Sequence, residues 1–144
     1  MHLNQELIII INETKATNVK FNVSNYTQNI CKAKGLNTGY LEINFISNPE
    51  IHKINIEHLN HDYETDIITF NLSEKGELHG DIYISVDEAE NNAKKFNTTY
   101  EKEIKLLLIH GILHLLNYKD NTEKNKTIMR NEEKRVINLI NDKI

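Results

Sequence analysis

The chain has 144 residues, of which 39% are hydrophobic and 26% charged, with a formal net charge of −4. That is enough chain for one compact domain with a real core, and the ordinary balance of residue types excludes wholesale disorder. The acidic net charge gives no overall attraction to a phosphate backbone, which excludes a non-specific nucleic-acid coat and leaves any RNA binding to a local patch. The single cysteine, Cys31, has no internal partner for a disulfide. The N-terminus also lacks the basic and long apolar segments of a secretory signal, so the expected location is the cytoplasm.

No linker, repeat or block of one charge interrupts residues 1–144, so they are expected to form a single domain. Leu7 to Ile11 is a short β-branched run, far below bilayer length, and is expected to be a buried strand. Asn22-Val23-Ser24 opens a helix through Tyr26, Ile30 and Ala33 that stops at Gly35. Tyr40 to Ile46 alternates polar and apolar side chains with the period of a strand. Asn48-Pro49 starts a helix that runs to about Leu59. Asp66 to Leu72 and Gly80 to Val86 are two further strands, expected to pair as a hairpin across a long polar loop. Helices follow: one capped by Ser85 or Asp87 through Ala89 and Ala93, one from about Tyr100 to Leu116, and one from about Glu123 to Asn141. The fold class implied is α+β or mixed α/β, a small mixed sheet of about four strands with about five helices.

The helix from Tyr100 is apolar on nearly every face, so it should be central and buried. His110 and His114 lie four residues apart within it, which projects both rings from one face toward a common point. A chain with seven histidines shows such a pair often by chance, and the pair gains weight from Asp120. Asn117, a residue that tolerates left-handed backbone, is expected to end the helix and turn the chain so that this carboxylate reaches the same point. Two nitrogens and one carboxylate oxygen leave a fourth tetrahedral position open, the arrangement of a catalytic zinc. In metzincin-type proteases the residue after the first histidine is a glutamate acting as general base. Here it is Gly111, which has no side chain to take a proton, so peptidase chemistry takes second place.

The run from His110 to Asp120, HGILHLLNYKD, closely resembles the signature HGxLHLxGYDH of the YbeY family of metal-dependent endoribonucleases. Thr65-Asp66-Ile67-Ile68-Thr69-Phe70 resembles the TDVLSF strand of that family, and Gly80-Asp81-Ile82-Tyr83-Ile84 its GDIxI strand. Met129 and Glu133 match its pattern on the last helix. The resemblance implies metal ligation by His110, His114 and Asp120, with Asp120 standing where the family usually has a third histidine. It also implies one Zn2+ per chain and no organic cofactor. The activity implied is a single-strand-specific, zinc-dependent endoribonuclease in maturation of small-subunit ribosomal RNA and in ribosome quality control. Its partners would be ribosomal RNA and the small ribosomal subunit or its proteins, with no membrane.

Besides Asp120, three departures from the family pattern stand out. Asn117 replaces a glycine, Lys119 an aspartate, and Leu59 an arginine associated with phosphate handling. Lys119 and His61 are the donors the sequence offers in place of that arginine. The alternatives to a nuclease are a metal-dependent peptidase and a metal-stabilised ribosome assembly factor that cuts nothing. A Lys-lined cleft beside the motif helix would favour RNA over peptide.

No general acid or base is identified, and Asp66 is the candidate, either orienting a ligand histidine or capping a loop. Glu133 is expected to partner Lys134 or Arg130 or to accept from a ligand ring. Met129 and Cys31 are expected in the core. His2, His52, His58 and His79 have no ligand spacing with the motif.

Overall fold

The computed structural model describes residues 6–60 and 65–140. Its elements are β1 (Leu7–Glu13), α1 (Val23–Ala33), β2 (Gly39–Ile46), α2 (Asn48–Leu59), β3 (Ile67–Asn71), β4 (His79–Ser85), α3 (Val86–Lys95), α4 (Tyr100–Leu115) and α5 (Glu123–Leu139). Four strands form one mixed sheet in the order β1-β2-β4-β3. β1, β2 and β4 run parallel, and β3 pairs antiparallel with β4 at the edge. The expected hairpin therefore forms, with residues 72–78 as its loop.

Alternation along the strands divides the core in two. Leu41, Ile43, Phe45, Ile82 and Ile84 face α1, α4 and α5 and build the larger core. The opposite face carries Ile68, Phe70 and Tyr83 against Ile51 and Ile54 of α2. The period-two pattern of β2 and β4 is the reason one sheet can bury a helix layer on each side. α4 is the central helix, as its apolar sequence demands, with Ile104, Leu108, Ile109, Ile112 and Leu113 fully buried.

Two glycines set how close α4 comes to the sheet. A Cβ on Gly111 would lie 3.0 Å from Ile67 and 3.1 Å from Ile82, and one on Gly80 would lie 2.6 Å from Leu115 and 2.8 Å from the Phe70 carbonyl. Ser85 is the cap of α3, its hydroxyl accepting from the Glu88 N–H, so of the two expected caps the serine serves. Asp87 instead sits in the first turn, where its carboxylate accepts from Lys15 and from the Asn48 N–H. Val86, expected as the last residue of a strand, is the first of α3 for the same reason, because the cap forms one residue earlier. Met129 and Cys31 lie in the core. Burial pushes the Cys31 thiol up to about 12, so it is inert.

Candidate metal centre

The donors are brought together by α4 and the turn that ends it. His110 and His114 project from one face of the helix, with their Nε2 atoms 2.9 Å apart. The turn is a complete left-handed cap. Asn117 has φ 71°, its N–H donates to the His114 carbonyl, and the Tyr118 N–H donates back to the Leu113 carbonyl. This reversal carries Asp120 to the ring pair, its Oδ2 lying 3.3 Å from each Nε2. Asn71 on β3 donates to the Leu115 carbonyl and so fastens the end of α4 to the sheet.

Tyr118 is pinned from the other side. Lys34, at the end of α1, donates to its hydroxyl at 2.9 Å and also pairs with Glu132 of α5. Arg135 closes on the same Glu132 through two bonds of 2.8 and 2.7 Å. The Arg135 guanidinium, then Lys34, hold the Glu132 carboxyl down to about 2 against the effect of burial.

Glu133 determines how the first ring presents itself. Its Oε2 lies 2.8 Å from His110 Nδ1, so Nδ1 carries the proton and Nε2 turns a lone pair toward the cluster. Burial pulls the His110 pKa down, but the bond to Glu133 and the charges of Glu133, Asp120 and Asp66 outweigh it and hold the ring above its ordinary value. His114 moves the other way. Burial and the neighbouring His110 lower it, only partly offset by Asp120 and a backbone hydrogen bond at Tyr118. The two rings thus shift in opposite directions, His110 up and His114 down.

The cluster suits a metal ion. Zinc bonds of 2.0–2.1 Å in a tetrahedron place neighbouring donors about 3.3 Å apart, and the three spacings here are 2.9, 3.3 and 3.3 Å. Two imidazoles and one carboxylate fit zinc or another divalent first-row metal, and the Glu133 support of the outer ring nitrogen is the usual companion of a ligating histidine. Among the described residues these three form the one group of this kind. The Asp120 side chain is 45% accessible against 24% and 23% for the rings, so the cluster opens toward solvent on the aspartate side.

That opening is a cleft of about 420 Å³ between α4, β3 and the end of α2. Asn55 and Leu59 contribute from α2, and residues 65–69 form the opposite wall. Asp66 lies in this wall, but its carboxylate accepts from Asn92 at 3.1 Å, and it is Glu133 that bonds a cluster ring. No Lys or Arg lines the cleft among the described residues. Lys119 borders a separate hollow with Asn117, Asn125 and Ile128. His61 lies outside the described residues, as does His2. His52, His58 and His79 stay apart from the cluster, and His58 and His79 pack edge-on against Phe70 and Tyr40. Position 111 faces Ile67 and Ile82, and any side chain there would crowd both.

A mixed four-stranded sheet, a buried helix presenting two histidines, and a carboxylate returned to them by a left-handed turn define a small α+β protein with a three-donor centre in an open cleft. The chain belongs to the YbeY family: the family model described as Endoribonuclease YbeY matches residues 9–141. A protein named Endoribonuclease YbeY from Flavobacterium johnsoniae is 45% identical over 97 residues, covering 67% of this chain and 70% of that one. Another of the same name from Christiangramia forsetii is 40% identical over 115 residues, 80% of each chain. The solution structure of a Thermotoga maritima protein superimposes with a TM-score of 0.68 at 30% identity, covering 93% of this chain and 89% of the other.

Proposed function

We propose that this protein is a zinc-dependent endoribonuclease that cuts single-stranded RNA, acting in maturation of small-subunit ribosomal RNA and in ribosome quality control. The observation that carries the reading is the His110–His114–Asp120 cluster, at tetrahedral donor spacing in an open cleft of a YbeY-family chain. His110, His114 and Asp120 would hold one Zn2+. The bound metal supplies a Lewis acid for a phosphoryl oxygen and a water of lowered pKa.

The chain's own residues do the rest. Glu133 keeps the proton on His110 Nδ1 and frees Nε2 as a donor. The Asn117 turn sets the reach of Asp120, and the pinning of Tyr118 by Lys34 stiffens that turn. Asp66 faces the cleft with its carboxylate oriented by Asn92, which makes it the candidate to hold or accept a proton from the substrate side. A peptidase is disfavoured because Gly111 has no side chain to serve as the base and is packed closely against Ile67 and Ile82. The absence of Lys and Arg among the described residues of the cleft lining, with Leu59 at its edge, favours as second reading a factor that binds the ribosomal subunit and cuts nothing. No described helix is long and apolar enough to cross a membrane.

The test is elemental analysis and RNA cleavage on the purified protein and a folded His114→Ala variant. About one zinc per chain in the wild type, lost with cleavage in the variant, is the expected result. Zinc-loaded protein that leaves single-stranded ribosomal RNA uncut would overturn the nuclease and put the binding factor first.

A further inference from the structure

Apart from the metal that Asp120 would share, a polyanionic strand entering this cleft meets the Asp66 carboxylate and no Lys or Arg on the described walls. The backbone charge must be met from outside it. α5 carries a row of cations: Lys126, Arg130 and Lys134 recur every four residues, so they form one stripe along the helix. All three are exposed.

Two neighbours fix which way the stripe faces. Glu132 reaches Lys34 of α1, and Glu133 reaches His110 at 2.8 Å, with buried Met129 and Val136 between them round the helix. Passing from the Glu132 side to the Glu133 side therefore leads from α1 toward the donor cluster. At about 100° per residue, Lys126 lies roughly 20° beyond Glu133 and Arg130 roughly 60° beyond, with Lys134 farther round. Lys126 and Arg130 thus lie on the Glu133 flank of α5, the side that meets the donor cluster through His110.

Their present contacts are weak and exposed. Lys126 lies 3.7 Å from Glu123, and Arg130 reaches the Thr127 hydroxyl at 3.4 Å. The other basic residues of α5 differ. Arg135 is committed to Glu132, and Lys124 falls on the opposite flank. We propose that the Lys126–Arg130–Lys134 stripe of α5 is the track that holds the sugar-phosphate backbone of single-stranded RNA beside the cleft. This rests on the nuclease reading above and names the surface that presents the substrate to it.

The test is fluorescence anisotropy with a single-stranded 2′-O-methyl oligoribonucleotide across a salt series, together with cleavage kinetics on unmodified RNA. Lys126→Ala and Arg130→Ala should each reduce the slope of log affinity against log salt by about 0.7, and the double variant by about 1.4, irrespective of sequence. Lys124→Ala should leave the slope unchanged. In cleavage, the double variant should show a raised KM with kcat retained. Wild-type slope and KM in the folded double variant, while the wild type cleaves RNA, overturns the track and leaves the nuclease standing. A zinc-loaded wild type that neither binds nor cuts RNA overturns the nuclease reading, and the track with it.

Discussion

Glu133→Gln separates the charge behind His110 from the shape of the contact. Gln has the same length and keeps a carbonyl oxygen that accepts the Nδ1 proton at the 2.8 Å position, so the ring can hold its orientation while the negative charge disappears. The Glu133 side chain is only 16% accessible, so water replaces little of that charge. A carboxylate behind a ligating ring makes the opposite nitrogen more basic, and losing such a partner costs about 10- to 100-fold in metal affinity, roughly 1.4–2.7 kcal/mol. Competition for zinc against a chromophoric chelator measures this, with urea unfolding of the metal-free protein showing that the fold is kept. In the metal-free variant the His110 pKa should also fall, because burial then acts without its main counterweight, and proton NMR of the ring reads the change. A folded Glu133→Gln protein that binds zinc as tightly as the wild type would refute the idea that the Glu133 charge strengthens His110 as a donor.

Three further outcomes follow from the same geometry. Asn117→Gly should keep the turn, while Asn117→Ala should lose about 1–2 kcal/mol in urea unfolding because φ is 71° there; equal stability of Ala and Asn would contradict the strain argument. In Gly111→Ala, the contacts at 3.0–3.1 Å with Ile67 and Ile82 should cost about 1–3 kcal/mol against a helix-propensity gain of about 1. The melting temperature should fall and zinc binding weaken as α4 lifts, and a more stable variant would refute the close packing. Glu132 has a depressed folded pKa, so its contribution to stability is complete above the unfolded value of about 4.3 and fades as pH drops toward 2. The stability gap between wild type and Glu132→Gln should narrow across that window in pH-dependent urea titrations, and a gap constant with pH would argue against the ion pair.

Local patterns were legible where one element decides the outcome. The apolar alternation of β2, the Ser85 cap, the buried α4 and the left-handed Asn117 all follow from residues within a few positions of one another. The convergence of His110, His114 and Asp120 was legible for the same reason, since a helix and one turn connect them. The strand order was not, because three parallel strands with an antiparallel edge depend on which crossovers pack together. Glu133 illustrates the limit. Lys134, Arg130 and a ligand histidine were all possible partners by spacing, and only the packing of α5 on α4 selects His110. Asp66 was open between a histidine and a loop, and the approach of α3 gives its carboxylate to Asn92. The lack of Lys and Arg on the described cleft walls was likewise invisible, since those walls come from α2, β3 and α4, far apart in the chain.

The donor cluster and its supporting carboxylate all fall between His110 and Glu133, in one helix–turn–helix hairpin, whereas the facing cleft wall comes from residues before 70. Contacts close in sequence form with little loop-closure entropy, so the hairpin can gather its ligands early in folding, before the slower parallel pairing of β1, β2 and β4 is complete. Ligand geometry and substrate handling are thus encoded in separate stretches of chain. Drift in α2 or β3 can reshape what enters the cleft while leaving the donor-bearing hairpin intact, and the two properties are free to evolve at different rates.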